Sequence, residues 1–107
     1  MLPIDFLLAA ERYLKKIKDK HLKKIYEDAI KLIRENPDAG QVKKGDLDGI
    51  YCYDVDYDNV NYEIAYTLGE NQQGEVIVII MAGNRENFYD ALKKYMRGKQ
   101  SYQVVHS

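Results

Sequence analysis

Apolar and polar positions in the first third of the chain repeat with the period of an α-helix. Apolar side chains trace one helical face across residues 7–17 and again across residues 22–33, which predicts two amphipathic helices. Residues 18–21 interrupt the pattern over a length that suits an antiparallel helical hairpin. Pro37 should end the second helix, because proline disfavours helical geometry in the residue before it. Residues 4–7 fit a short strand or a first helical turn, and we favour the strand.

From Ile50 onward the period changes to two. Apolar and polar residues alternate through residues 51–57 and, after a turn at residues 58–59, through residues 60–68, which predicts a β-hairpin. Residues 69–74 form a polar turn, and the β-branched run at residues 76–81 is typical of a strand covered on both faces. We expect this run to be the middle of the sheet.

The last predicted element is a helix. Phe88, Ala91, Leu92 and Tyr95 have helical spacing, and Gly98 after Arg97 should stop the helix, which leaves a tail at residues 99–107. The element order is therefore β-α-α-β-β-β-α. This order predicts an α+β fold, in which the N-terminal helical hairpin packs on a small, mainly antiparallel sheet. With 107 residues, the chain should form one domain over residues 1–98.

Charge follows this division of the chain. Residues 1–44 carry eleven Lys and Arg against seven Asp and Glu, whereas residues 45–75 carry eight acidic residues and no Lys or Arg. Positive charge thus belongs to the helices and negative charge to the strands, a partition that reports on partners rather than on fold.

Composition excludes several classes of function. Cys52 is the only cysteine, so neither an internal disulfide nor a cysteine-based zinc site can form. The longest apolar run, residues 76–83, is far below the roughly 20 residues that span a bilayer. The N-terminus lacks the features of a secretory signal. We expect a cytoplasmic protein without a cofactor or a metal.

Generic catalytic motifs are also absent: there is no glycine-rich phosphate loop, no His-Glu pair on a helix and no nucleophile elbow. Three local blocks remain, one entering the hairpin, one on its second strand and one leaving the long apolar strand. They are Leu47-Asp48-Gly49-Ile50-Tyr51, Asn61-Tyr62-Glu63-Ile64-Ala65-Tyr66 and Ala82-Gly83-Asn84-Arg85-Glu86-Asn87-Phe88-Tyr89.

In order and spacing these blocks resemble the RelE/ParE superfamily of toxins from bacterial type II toxin-antitoxin pairs. The resemblance runs from about Ile4 to Arg97. It implies a toxin that a small antitoxin neutralises by wrapping its helices and sheet. The implied target is either messenger RNA in the ribosome, which such toxins cleave without metal, or DNA gyrase, which they poison.

The resemblance assigns roles to single residues. Arg85 falls on the family's arginine at the end of the last strand, where it would clamp a phosphate, and Tyr89 can fall on the tyrosine that stacks on a base or donates a proton. Asn84 occupies a slot for histidine or lysine, with a turn or cap role as the alternative. The positions where ribosome-dependent nucleases place strand cations hold Cys52, Asp54 and Glu63, so we expect the usual nuclease site to be incomplete.

Other candidate residues are weaker. Lys43 and Lys44 could meet RNA or an acidic partner from the loop before the hairpin, or could simply be solvated. Glu63 could act as a general base, although a solvated strand carboxylate is the alternative. His106 could supply an imidazole if the tail folds back.

Three functions therefore stay open. The chain could be an RNA-cleaving toxin that uses Arg85, Tyr89, Lys43 and Lys44. It could be a gyrase inhibitor that acts through protein contacts, which the acidic strands suit better. It could also be a family member that has lost toxicity and persists as an interaction module.

Overall fold

A computed structural model describes the backbone of residues 1–106 and the side chains of residues 1–98. Within this part the chain forms three helices and five strands. The helices are α1 Leu8–Lys16, α2 Lys20–Glu35 and α3 Phe88–His106. The strands are β1 Ile4–Phe6, β2 Gln41–Val42, β3 Tyr51–Tyr57, β4 Val60–Asn71 and β5 Gly74–Asn84. The α+β class and the predicted order of elements are confirmed, with β2 added.

All five strands join one sheet in the order β1-β5-β4-β3-β2. The first strand pairs parallel with β5, and the other neighbours are antiparallel. The predicted position of residues 76–81 was wrong by one strand, because β5 is an interior strand and β4 is the middle one. The unexpected β2 lengthens the sheet beyond β3, through pairs such as Gln41 with Cys52. Two residues are too few to show a period in the sequence.

The hairpin prediction is confirmed in detail. Asp58 and Asn59 form its two-residue turn with φ values of 53° and 63°, the left-handed backbone that a tight hairpin turn requires and that Asp and Asn tolerate. The next turn is tighter than expected, since β4 continues to Asn71 and β5 begins at Gly74. Gly74 has a φ of 118°, and the Asn71 side chain accepts a hydrogen bond from the Gln73 backbone N–H.

The two faces of the sheet carry separate cores. Helices α1 and α2 cover one face, where Tyr26 and Ile33 pack against Ile64, Tyr66 and Ile79 of the sheet. Helix α3 covers the other face with a smaller core. Its buried members are Leu47, Ile50, Cys52, Ala65, Ile80, Phe88 and Leu92. Alternation along each strand sends neighbouring side chains into different cores.

Helix α3 does not stop at Gly98, as the sequence suggested, but continues to His106. A glycine ends a helix when it adopts a positive φ. Among the described glycines only Gly45, Gly49 and Gly74 have one. The separation of a tail at residues 99–107 from a domain at residues 1–98 stays a prediction, and the side chain of His106 lies outside the described residues.

Candidate functional site

The sheet face beneath α3 carries the acidic residues of the hairpin. Alternation places Cys52, Asp54 and Asp56 of β3 on this face, where the register sets Asp54 opposite Glu63 of β4 and Asp56 opposite Asn61. Asp54 and Asp56 are exposed, and the Asn61 Nδ2 group donates to both carboxylates, at 3.0 and 2.9 Å. The three positions where the resemblance expected strand cations thus differ in burial. Cys52 and Glu63 are buried, and Asp54 is open to solvent.

Glu63 lies at the centre of a group of polar side chains. It is 2% exposed, yet one carboxylate oxygen accepts a hydrogen bond from the Tyr89 hydroxyl at 3.3 Å and the other lies 3.8 Å from Arg85 Nε. Burial raises the pKa of the Glu63 carboxyl above its ordinary value, and the negative charge of Asp54 adds to this shift. The hydrogen bond from Tyr89 and the charges of Arg85 and Lys43 oppose it.

The backbone of Arg85 is held by hydrogen bonds, whereas its side chain is largely exposed. It directly follows β5, where its N–H donates to Asn61 O at 2.8 Å and its carbonyl accepts from Phe88 N–H at 3.1 Å. Two residues later, Asn87 turns the chain into α3 with a φ of 60°. The guanidinium lies near Glu63 at Nε, and because the side chain is 63% exposed, an anion in solvent can reach it.

Tyr89 projects from the first turn of α3 towards Glu63. The Lys43 ammonium lies 5.0 Å from the centroid of its ring, within the range of a cation–π contact. Burial raises the pKa of the Tyr89 phenol above its ordinary value, and the negative charges of Glu63 and of Cys52, once its thiol ionises at high pH, add to the effect. The phenol therefore keeps its proton at neutral pH.

Cys52 belongs to the packing beneath this group. Burial raises the pKa of its thiol to about 11, although the nearby Lys43 charge acts in the opposite direction. A protonated, buried thiol is a poor nucleophile. Its place in the core under α3 makes it a packing residue.

A basic groove runs from Tyr89 along α3. We define the basic groove by Lys43, Lys44, Tyr89, Lys93 and Arg97. Its first part, of about 520 Å³, lies between residues 43–47 and Tyr89 and Lys93. A second part, of about 340 Å³, continues past Gly45 and Asp46 to Arg97. Lys93 and Arg97 were missed in the sequence, although Tyr89, Lys93 and Arg97 follow one another at the four-residue spacing of a single helical face.

The structure thus brings together Arg85, Tyr89, Lys43 and Glu63 and leaves other candidates apart. Asn84 pairs with Tyr62 in the sheet register, one position out of phase with Glu63 and its partner Gly83. Its alternation directs it towards the α1 and α2 face. Lys44 lines the basic groove without joining the four-residue group.

Two further features of the described residues concern partners. None of the described helices combines the length and apolar character needed to cross a membrane. Within the described part of the chain, no three His, Cys, Asp or Glu side chains are grouped so that they could hold a metal ion.

Comparison with known proteins identifies what the chain resembles. Residues 7–93 match the family described as the ParE-like toxin of type II bacterial toxin-antitoxin systems. No curated protein sequence matches the chain.

Solved toxins have the same fold. The Escherichia coli toxin RelE, in a doubly substituted free form, aligns with 90% of this chain and 96% of its own at 17% identity and a TM-score of 0.66. A YoeB/ParE toxin from Agrobacterium tumefaciens aligns with 78% of this chain and 99% of its own at 14% identity and a TM-score of 0.65. The RelBE2 toxin-antitoxin complex from Mycobacterium tuberculosis contains a chain that aligns over 98% of its length with 78% of this one, at 20% identity and a TM-score of 0.61.

Proposed function

Because this chain belongs to the ParE-like toxin family of type II bacterial toxin-antitoxin systems, we propose that it is a toxin that cleaves RNA with the group formed by Arg85, Tyr89 and Lys43. The observation that carries the proposal is the junction of these three side chains at Glu63, at the mouth of a basic groove. Two cations can bind a phosphate and stabilise the charge that develops on it, and a protonated phenol can donate a proton to a leaving oxygen.

The reaction class is an internal transesterification. The 2′-oxygen of the RNA attacks the adjacent phosphorus, the bond from phosphorus to the 5′-oxygen breaks, and a cyclic phosphate and a free 5′-hydroxyl remain. Arg85 would bind the phosphate through its exposed N–H groups and, with Lys43, stabilise the negative charge that develops there. The Tyr89 phenol, which its raised pKa keeps protonated, would give its proton to the leaving 5′-oxygen. The proton of the attacking 2′-hydroxyl would pass to solvent, from which the phenolate regains one.

The basic groove supplies a path for the RNA backbone beyond the scissile phosphate. Its four cations outnumber its one carboxylate, Asp46. On the exposed part of the hairpin, Asp54 and Asp56 would each repel a phosphate by ~1 kcal/mol at about 4 Å in water. The charges therefore direct the strand along α3 and away from the hairpin.

Replacing Arg85 with Ala tests the proposal. We expect induction of the wild type to arrest growth and to produce new 5′ ends in cellular mRNA by primer extension, and we expect R85A to do neither. Arg12, an exposed arginine on α1, provides the matched control, and R12A should remain toxic. Unchanged toxicity and cleavage in R85A would exclude this site.

A second candidate function is inhibition of DNA gyrase by direct binding. The observation that favours it is the exposed carboxylate pair Asp54 and Asp56, on strands that hold no lysine or arginine. Inhibited supercoiling by the purified protein, with an induced DNA-damage response and no mRNA cleavage, would establish this function instead. Induction without growth arrest would indicate a member of the family that acts only as an interaction module.

We also propose a cognate antitoxin as the physiological partner. Both E. coli and M. tuberculosis relatives of this fold have been solved as toxin-antitoxin complexes. The partner would be a small protein that wraps the helices and the sheet in the cytoplasm, where RNA and gyrase are found. Coexpression of a small reading frame that overlaps or adjoins the toxin gene should abolish growth arrest, and failure of every adjoining frame to do so would contradict this assignment.

A further inference from the structure

Glu63 is the one nearly inaccessible carboxylate among the charged groups of the site. It is 2% exposed, whereas its register partner Asp54 is open to solvent. A buried carboxylate is costly unless it is paired, and both oxygens of Glu63 have a partner. Because the carboxylate is buried, a substrate would not contact it directly, and any role of Glu63 must act through its two partners, Tyr89 and Arg85.

Those two groups are the ones assigned to the phosphate and to proton exchange. One Glu63 oxygen accepts from the Tyr89 hydroxyl at 3.3 Å, and the other faces Arg85 Nε at 3.8 Å. Arg85 thus approaches Glu63 through its inner nitrogen, and its side chain is otherwise largely exposed. Tyr89 is held through its hydroxyl, beneath the Lys43 ammonium.

We propose that Glu63 is a positioning residue that fixes Arg85 and Tyr89 in one arrangement, so that the exposed end of the guanidinium and the phenol act on the same phosphate. This inference rests on the proposed RNA cleavage. An error of about 1 Å in the placement of such groups can lower a rate ~100-fold, which makes a shared buried anchor consequential. The anchor works only in its ionised form, since a neutral carboxyl no longer attracts the guanidinium.

Ionisation of Glu63 responds to the charged and titratable groups around it. These come from every element packed against it: Asp54 and Cys52 on β3, Tyr26 on α2, Arg85 after β5, Tyr89 on α3 and Lys43 after β2. Burial raises the pKa of Glu63, so the anchor should be lost as the pH falls through that raised value. Cleavage should fall with it.

The test is a double-mutant cycle on RNA cleavage, with Glu63→Gln and Arg85→Ala. We expect E63Q to lower kcat ~10-fold, R85A ~100-fold, and the double variant no more than R85A, because residues that act as a unit are not additive. E63Q should also lack the acidic limb of the pH profile. Asp54→Asn removes the exposed carboxylate opposite Glu63 and should change kcat by less than about twofold. Multiplicative losses, or a pH profile unchanged by E63Q, would overturn the proposal.

A second measurement does not depend on cleavage. In protein labelled with ¹³C at tyrosine Cζ and glutamate Cδ, E63Q should lower the pKa of Tyr89, and R85A should raise that of Glu63. Tyr89→Phe assigns the phenol signal. If the wild type cleaves no RNA, the proposed function fails, while these titrations still decide whether Glu63 holds Arg85 and Tyr89. The R85A titration also serves if E63Q does not fold, and an unshifted Glu63 would refute the contact.

Discussion

The hydroxyl group of Tyr66 bridges two backbone groups of the segment that leads into the candidate site. It donates to Pro37 O at 2.6 Å and accepts from Gly40 N–H at 2.8 Å, while its ring stacks on Tyr51. A Cβ atom on Gly40 would come within 2.8 Å of the Tyr66 hydroxyl and ring. These hydrogen bonds hold residues 37–40 close to the sheet, and the absence of a side chain at Gly40 makes room for Tyr66.

Tyr66→Phe should destabilise the protein by about 1–3 kcal/mol, because it leaves a backbone carbonyl and an N–H group without their partner. Urea unfolding measures the change. Tyr51→Phe is the matched control, since it removes a hydroxyl that makes no hydrogen bond among the described residues while keeping the ring stack. Equal losses for the two variants would contradict this account.

At the scale of elements, Asp19 links the start of α2 to the tip of the hairpin. Its side chain accepts from the backbone N–H groups of His21 and Leu22, and it also accepts from the Tyr57 hydroxyl at 2.9 Å. These hydrogen bonds lower the pKa of Asp19 below its ordinary value of 3.8. The bond donated by the Leu22 N–H has the largest effect, and the bond donated by the Tyr57 hydroxyl has the next largest. One exposed carboxylate thus serves both as a helix cap and as a tether.

Asp19→Ala should lower Tm by a few degrees at pH 7, and Asp19→Asn should recover only part of the loss, because its amide oxygen accepts the hydrogen bonds without the negative charge that strengthens them. Because the folded-state pKa of Asp19 is lowered, its contribution is present above pH 3.8 and is lost as the pH falls through the folded value. Thermal melts across this range should show the wild type and D19A converging towards low pH. A difference in Tm that is the same at every pH would refute the assignment.

Gly98 provides a test of the length of α3. A Cβ atom there meets nothing within 4 Å, and the helix continues through this position. Gly98→Ala should therefore stabilise the protein by about 0.5–1 kcal/mol through helix propensity. Gly74→Ala, at a φ of 118°, should destabilise it in the same chemical denaturation assay. A loss of stability in G98A would instead favour a helix that ends at Gly98.

At the scale of the whole molecule, the fold separates charges that the net value of −1 conceals. The acidic residues of β3 and the cations of the basic groove lie on the same side of the sheet, the side that α3 covers. An RNA strand that follows the groove would release counterions from each phosphate that a cation contacts. The slope of log affinity against log salt therefore reports how many phosphates the cations contact.

Lys93→Ala and Arg97→Ala should each reduce the slope of log affinity against log salt by ~0.7 for single-stranded RNA. Fluorescence anisotropy with a short RNA oligonucleotide measures this slope. Lys15→Ala on α1 removes a lysine that pairs with Glu11 at 3.6 Å and should leave the slope unchanged. Equal slopes for all variants would place the RNA elsewhere.

The sequence by itself determined the class of fold and the helices and strands other than the two-residue β2. Helical and strand periods, the Asp58-Asn59 turn and Pro37 are local signals, because each depends on backbone preferences within a few residues. The family resemblance also located Arg85 and Tyr89 as candidates, and the basic loop before the hairpin gave Lys43. The end of α3 was misjudged because Gly98 can stop a helix or continue one, and neighbouring residues do not decide which.

Only the tertiary structure decided how far each side chain is buried and which residues surround it. Glu63 and Asp54 look alike on alternating strands, yet α3 covers one carboxylate and leaves the other in water. Strand order, the pairing of β1 with β5, and the meeting of Lys43 with Tyr89 join residues that are far apart in the sequence. Such contacts arise from the packing of α3 and residues 43–47 against the sheet, and a one-dimensional pattern does not contain the distances that set them.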